Sequence, residues 1–103
     1  MDKNESEIRE RVIREKSTIP WKELQRFFAS GTVIYVDQQL EIVDVAISLH
    51  EDNKDMVEEW MQSGGIAKVS DDQARQWFSM DAEVTAVVVR PWVLVQDISE
   101  NKE

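Results

Sequence analysis

The chain has 103 residues, 21 of them acidic and 12 basic, for a net charge of −9. That length suits one domain, and that charge disfavours nucleic acid or an anionic membrane as a direct partner, since both require a positive surface. There is no cysteine and a single histidine, His50, which excludes disulfides, thiolate metal sites, a cysteine nucleophile and a multi-histidine metal centre within one subunit. At 42% hydrophobic and 32% charged, with four Trp, the chain is apolar enough to build a core and polar enough to stay dissolved. Its charged N-terminus, Met1 to Glu7, has no apolar signal core, and no apolar run approaches the ~20 residues of a membrane span. These features predict a cytoplasmic protein in which residues 1–103 form one domain, with 1–6 and 97–103 fraying.

Residues 5–16 read as a charged helix. Glu7 and Arg11, and Glu10 and Arg14, stand at i, i+4 in the favourable order, beside a thin apolar stripe of Ile8, Val12 and Ile13. Ser17-Thr18-Ile19-Pro20 is a helix-start signal for a second helix, which carries Trp21, Leu24, Phe27 and Phe28 on one face and stops at Gly31. Thr32–Asp37 and Leu40–Leu49 read as two strands of a hairpin. Val43, Val45, Ile47 and Leu49 share one face of the second, and Ile42, Asp44, Ala46 and Ser48 the other. Glu51-Asp52-Asn53 caps a third helix, with Met56, Val57, Trp60 and Met61, closed by Gly64-Gly65. A short extended piece, Ile66–Val69, precedes a fourth helix that opens on a Ser70/Gln73 capping box and turns Ala74, Trp77 and Phe78 inward.

The last segment, Val84–Gln96, is apolar apart from Thr85, Arg90, Pro91 and Gln96, with no alternation. A continuous β-branched run implies burial on both faces of a sheet. Pro91 cannot donate to a ladder and marks a bend, a bulge or an edge. The order is ααββα(β)αβ: an α+β fold with a small, mostly antiparallel sheet of three or four strands and about four helices. If those helices all pack on one side, the other sheet face still shows valine and leucine, and a second copy related by two-fold symmetry would cover it. Val88, Trp92 and Val93 are the candidate residues of such a homodimer interface.

Ile19-Pro20-Trp21-Lys22-Glu23-Leu24, Val36-Asp37, Leu40 to Ala46, Val69-Ser70 with Gln73, and above all Val89-Arg90-Pro91-Trp92-Val93-Leu94-Val95-Gln96 resemble the domain of unknown function 2288 family of short bacterial proteins. The resemblance covers nearly the whole chain. It implies a bacterial, cytoplasmic, stand-alone protein and carries over no activity and no catalytic residues.

Candidate chemistry is sparse. Asp44 and Arg90 each interrupt an apolar stretch. If their strands are neighbours, they form either a structural ion pair or, with Tyr35, a polar pocket that grips a small ligand. His50, Glu51, Asp52 and Asp55 are the one cluster resembling metal ligands, but Asp52 and Asn53 are what a helix start needs, and the spacing fits no calcium loop or His-Glu-x-x-His motif. The hydroxyls have one possible histidine partner between them, and Gly64-Gly65 is a helix stop without the Lys-Ser or Lys-Thr of a phosphate loop. No catalytic residue, metal or cofactor is expected. The sequence favours a non-catalytic interaction module that self-associates through its sheet. The alternative is a small-ligand or metal-binding protein with a polar site around Asp44 and Arg90.

Overall fold

The computed structural model describes residues 3–98, with side chains from Glu7 onward; residues 1, 2 and 99–103, part of the tails expected to fray, lie outside the described residues. In chain order the elements are α1 (Lys3–Glu15), β1 (Ser17–Pro20), a 3-10 turn (Trp21–Leu24), α2 (Gln25–Ala29), β2 (Val33–Val36), α3 (Ile42–His50), α4 (Lys54–Ser63), β3 (Ile66–Lys68), α5 (Asp71–Ser79), β4 (Glu83–Val89) and β5 (Trp92–Asp97). The five strands form one mixed sheet in the order β1-β4-β5-β2-β3. Three pairings are antiparallel, and β2 runs parallel to β5 with Val33, Ile34 and Tyr35 opposite Val93, Leu94 and Val95.

This α+β architecture differs from the sequence expectation in three places, each with a local cause. The long apolar run folds back on itself: Arg90 and Pro91 make a tight turn, and β4 and β5 pair from Val84–Asp97 to Val89–Trp92. Pro91 thus sits where no ladder hydrogen bond is needed. Ser17–Pro20 is an edge strand, because β4 offers it a partner, with Ile19 opposite Val84. The third departure is the largest. Residues 42–50 are helix α3, not the return strand of a hairpin. Ile42, Val43, Val45, Ala46 and Ile47 are all buried, so burial on most of its circumference outweighs the strand preference of its β-branched residues. Its outward side carries Glu41, Asp44, Ser48 and Glu51, spaced three or four apart, with Leu49 half-buried and His50 exposed at its C-terminal end.

Helices α4 and α5 start at their signals, but Phe78, expected inward on α5, and Phe27, expected on the core face of the second helix, are 48% and 37% exposed. Asn53 Oδ1 accepts from the Met56 amide (3.3 Å) to start α4, and Gly64 ends it in the left-handed region at φ 87°. Ser70 and Gln73 form the reciprocal capping box of α5. On α1 the expected Glu7–Arg11 and Glu10–Arg14 pairs do not close; Arg9 instead reaches across to Asp44 on α3 (3.0 Å).

Strand alternation sorts the core into two. One face of the sheet, with Val36, Ile66, Val87 and Leu94, packs against α1, α3 and α4 through Val12, Val43 and Ala46. The other, with Val33, Val84, Ala86, Val93 and Val95, packs against the 3-10 turn and α5 through Trp21, Leu24, Ala74 and Trp77. Helices of the same chain therefore occupy both faces. The double burial of Val84–Gln96 is met largely by the chain's own helices, and among the described residues neither sheet face is left without helices. Fully burying each such Val or Leu contributes about 1.5–3 kcal/mol.

Candidate functional site

The three residues proposed from sequence as one polar site are not brought together. Tyr35 points from β2 into the aromatic face, 6.1 Å from Trp77 between ring centroids. Asp44 stands on the outer side of α3, paired with Arg9, with both side chains about half exposed. Arg90 lies in the β4–β5 turn. The candidate interface separates as well. Val93 is 2% exposed within the aromatic-face core, Trp92 is half-buried opposite Val89, and only Val88, at 51%, is open to solvent. Among the described residues no group of three or more His, Asp or Glu is placed to hold a metal ion.

Two polar arrangements emerge that the sequence did not announce. The first is a clasp at the end of β5. Asp97 Oδ2 accepts from the Tyr35 hydroxyl and Oδ1 from the Trp77 indole, each at 3.0 Å. One carboxylate thereby ties the last strand to β2 and to α5. Burial, then the adjacent Asp97 carboxylate, then Asp37 push the Tyr35 hydroxyl up to about 12. Beside it, the Gln96 amide donates to the Asp37 and Leu40 carbonyls (2.9 and 2.8 Å), and Gln38 donates to the Asp97 carbonyl (3.1 Å). The clasp lies against Trp21, 4.9 Å from Trp77 between centroids, whose own buried indole N–H finds no acceptor among the described residues. Every oxygen of the Asp97 carboxylate is thus engaged in holding the fold. Asp97, expected in a fraying tail, is an anchor.

The second is a groove of about 670 Å³ at the opposite end of the β4–β5 hairpin. One wall is a single face of α1, with Ile8, Arg11, Val12 and Glu15 at i, i+3, i+4 and i+7. A second is the end of α3, with Ala46, Leu49 and His50. The third is the close of β4 and its turn, Val88 to Arg90. The groove lies beside the half of β4 that β1 does not reach, since their pairing stops at Ser17–Ala86. Its floor is the aliphatic core: Val12 and Ala46 are buried, and Ile8, Leu49 and Val89 pack on that cluster. Neither Arg11 nor Arg90 has an ion-pair partner among the described side chains. Among the described residues, two guanidiniums and an imidazole thus share the groove with one carboxylate, Glu15, in a chain of net charge −9.

Among the described residues no hydroxyl or thiol lines this groove, so none of them is a nucleophile for His50 to activate. Ser48 gives none either, because on a helix it and His50 point to different sides. The arrangement places the side chains of Arg11, Arg90 and His50 around one concave surface, where an anion can be held. One signal for it lay in the sequence: Arg11 shares a helix face with Ile8 and Val12, but its spacing from Glu7 made it read as half of a surface pair.

Comparisons with known proteins agree with this fold. No curated protein matches the chain. A solution NMR structure of PA1075 from Pseudomonas aeruginosa is similar to it, with 37% sequence identity, a TM-score of 0.81, and coverage of 100% of this chain and 95% of that one. Among the described residues no helix is long and apolar enough to cross a membrane. Residues 7–97 match the family described as "Protein of unknown function (DUF2288)", and the chain belongs to that family.

Proposed function

We propose that the protein is a non-catalytic binding module and that the groove between α1, α3 and the β4–β5 turn takes an anionic ligand. The observation that carries this reading is the convergence of Arg11, Arg90 and His50 on one concave surface of a strongly acidic chain. Surface guanidiniums in such a chain have many carboxylates to choose from. Two that share a groove and pair with none leave a local positive field, and positive fields in clefts concentrate anions. The volume falls within the ordinary range of small-ligand sites, roughly 300–1,000 Å³. Self-association through the sheet receives no support, because helices of the same chain cover both faces.

A thermal-shift screen of carboxylates, phosphate esters, neutral solutes and cations tests the reading. Anionic compounds should raise the melting temperature, since a ligand at 100 times its Kd stabilises by about 2.7 kcal/mol. The rise should vanish in the Arg11→Ala/Arg90→Ala double variant. If only neutral or cationic compounds stabilise the protein, or none does, the reading is wrong.

A further inference from the structure

We infer that the ligand is a small amphipathic anion, with one carboxylate or phosphate head and an unbranched aliphatic body of about the reach of octanoate. This rests on the groove being the binding site and goes beyond it by fixing the ligand's chemistry.

Three features of the walls select that class. The basic side chains stand at the rim: Arg90 in the turn and His50 at the last residue of α3 are both exposed, as is Arg11. Part of the surface between them is aliphatic, from Ile8, Val12, Leu49 and Val89, which are continuous with the core. A sugar or other polyhydroxylated body would lose its water there without recovering hydrogen bonds, because no hydroxyl or carboxamide side chain lines the groove among the described residues. An aliphatic body loses nothing by leaving water. The charge count limits the head. With Glu15 opposing two guanidiniums and a net charge of −9 surrounding them, a polyanion such as a nucleoside triphosphate meets too few cations to offset the repulsion of the whole chain. A single head feels mainly the nearby arginines. The same repulsion disfavours an acidic peptide laid along the free half of β4. The lined face of α1, about 10 Å from Ile8 to Glu15 at 1.5 Å per residue, limits the length of head and body together.

The head bonds to Arg11 and Arg90 as a charge-assisted acceptor, with His50 donating a third hydrogen bond. The body lies along Val12 and Leu49 toward Ile8. Carboxylate and phosphate heads share this chemistry, and octanoate and octyl phosphate distinguish them.

The test is a series of ¹⁵N chemical-shift titrations of the full chain with octanoate, octyl phosphate, 1-octanol, inorganic phosphate and citrate. Octanoate or octyl phosphate should move the amides of Leu49, His50 and Val88–Arg90, with 1-octanol, phosphate and citrate at least tenfold weaker. Arg11→Ala and Arg90→Ala, both at exposed side chains, should each weaken the better probe several-fold without altering the spectrum elsewhere. Octanol binding as tightly as octanoate would make the groove a mere apolar patch. Citrate or phosphate binding as tightly would make it a site for charge alone. Either result overturns the inference while leaving an occupied groove in place; silence from all five probes and from the broader anion screen removes both.

Discussion

The two faces of the sheet solve the same burial problem with different materials. On the face under α1, α3 and α4 the buried side chains are valine, isoleucine, leucine and alanine, with Trp60 partly buried beside them. The face under the 3-10 turn and α5 is built on Trp21, Trp77, Tyr35 and Phe28. Aromatic rings carry polar tips that need partners, and the carboxylate of Asp97 supplies two of them. The aliphatic face needs no such clasp, and at its corner, by the β4–β5 turn, it stays open between charged side chains. On the aromatic face Tyr35, Trp77 and Asp97 are engaged with one another and hold structure, while the buried Trp21 indole N–H has no acceptor among the described residues. The polar groups at the corner of the aliphatic face are unengaged among the described residues and are free to hold something else.

Substitutions can break this division, and the largest effect falls at the β4–β5 hairpin. Val93→Glu places a carboxylate in the aromatic-face core and should cost more than about 4 kcal/mol, enough to leave little folded protein. Val88→Glu, its cross-strand neighbour with an open side chain, should stay folded; circular dichroism distinguishes the two. Trp21→Ala empties the centre of the aromatic face and should lose about 3–5 kcal/mol in urea unfolding.

Asp97→Ala removes the acceptor for both Tyr35 and Trp77 and should lose about 2–3 kcal/mol. It also tests the electrostatics. In the intact protein Tyr35 titrates near pH 12 when folded, against 10 for an ordinary tyrosine. The folded state thus resists forming tyrosinate, so stability is whole below pH 10 and drains away as pH rises from 10 toward 12. In the variant, with the carboxylate gone, the tyrosinate absorbance should appear at lower pH and the alkaline loss should shrink. The smallest effect belongs to Asp44→Asn. Its pair with Arg9 is half exposed on both sides, and unfolding should shift by no more than about 1 kcal/mol.

Much of the fold was legible because its signals are local. The Ser70/Gln73 box, the Asn53 cap, the Gly64 stop and the doubly apolar Val84–Gln96 each needed only a few neighbours to interpret. Residues 42–50 misled because a segment buried on most sides has apolar residues in every register. Its period-two alternation and its 3.6-residue stripe coexist, and only the Glu41–Asp44–Ser48–Glu51 spacing argued for a helix. The hairpin within Val84–Gln96 was hidden for a related reason: two central strands joined by a two-residue turn read as one long one. The site was less legible than the fold. Tyr35, Asp44 and Arg90 were grouped on the assumption that Asp44 lay in a strand beside Arg90, and with α3 a helix that grouping dissolves. Asp97 is separated by 62 residues from Tyr35 and by 20 from Trp77, and no pattern of spacing links them. Arg11, His50 and Arg90 meet only because α1 and α3 pack together over the end of β4.

The most direct measurement is a ¹⁵N spectrum of the full chain recorded with and without the anion that most raises its melting temperature. The backbone amides of Leu49, His50 and Val88–Arg90 should shift, while the indole N–H peaks of Trp21 and Trp77 stay in place. Shifts centred on the Trp77 indole and the amides of Tyr35 and Asp97 would contradict the account, because the clasp, and not the groove, would then be the part of the molecule that binds.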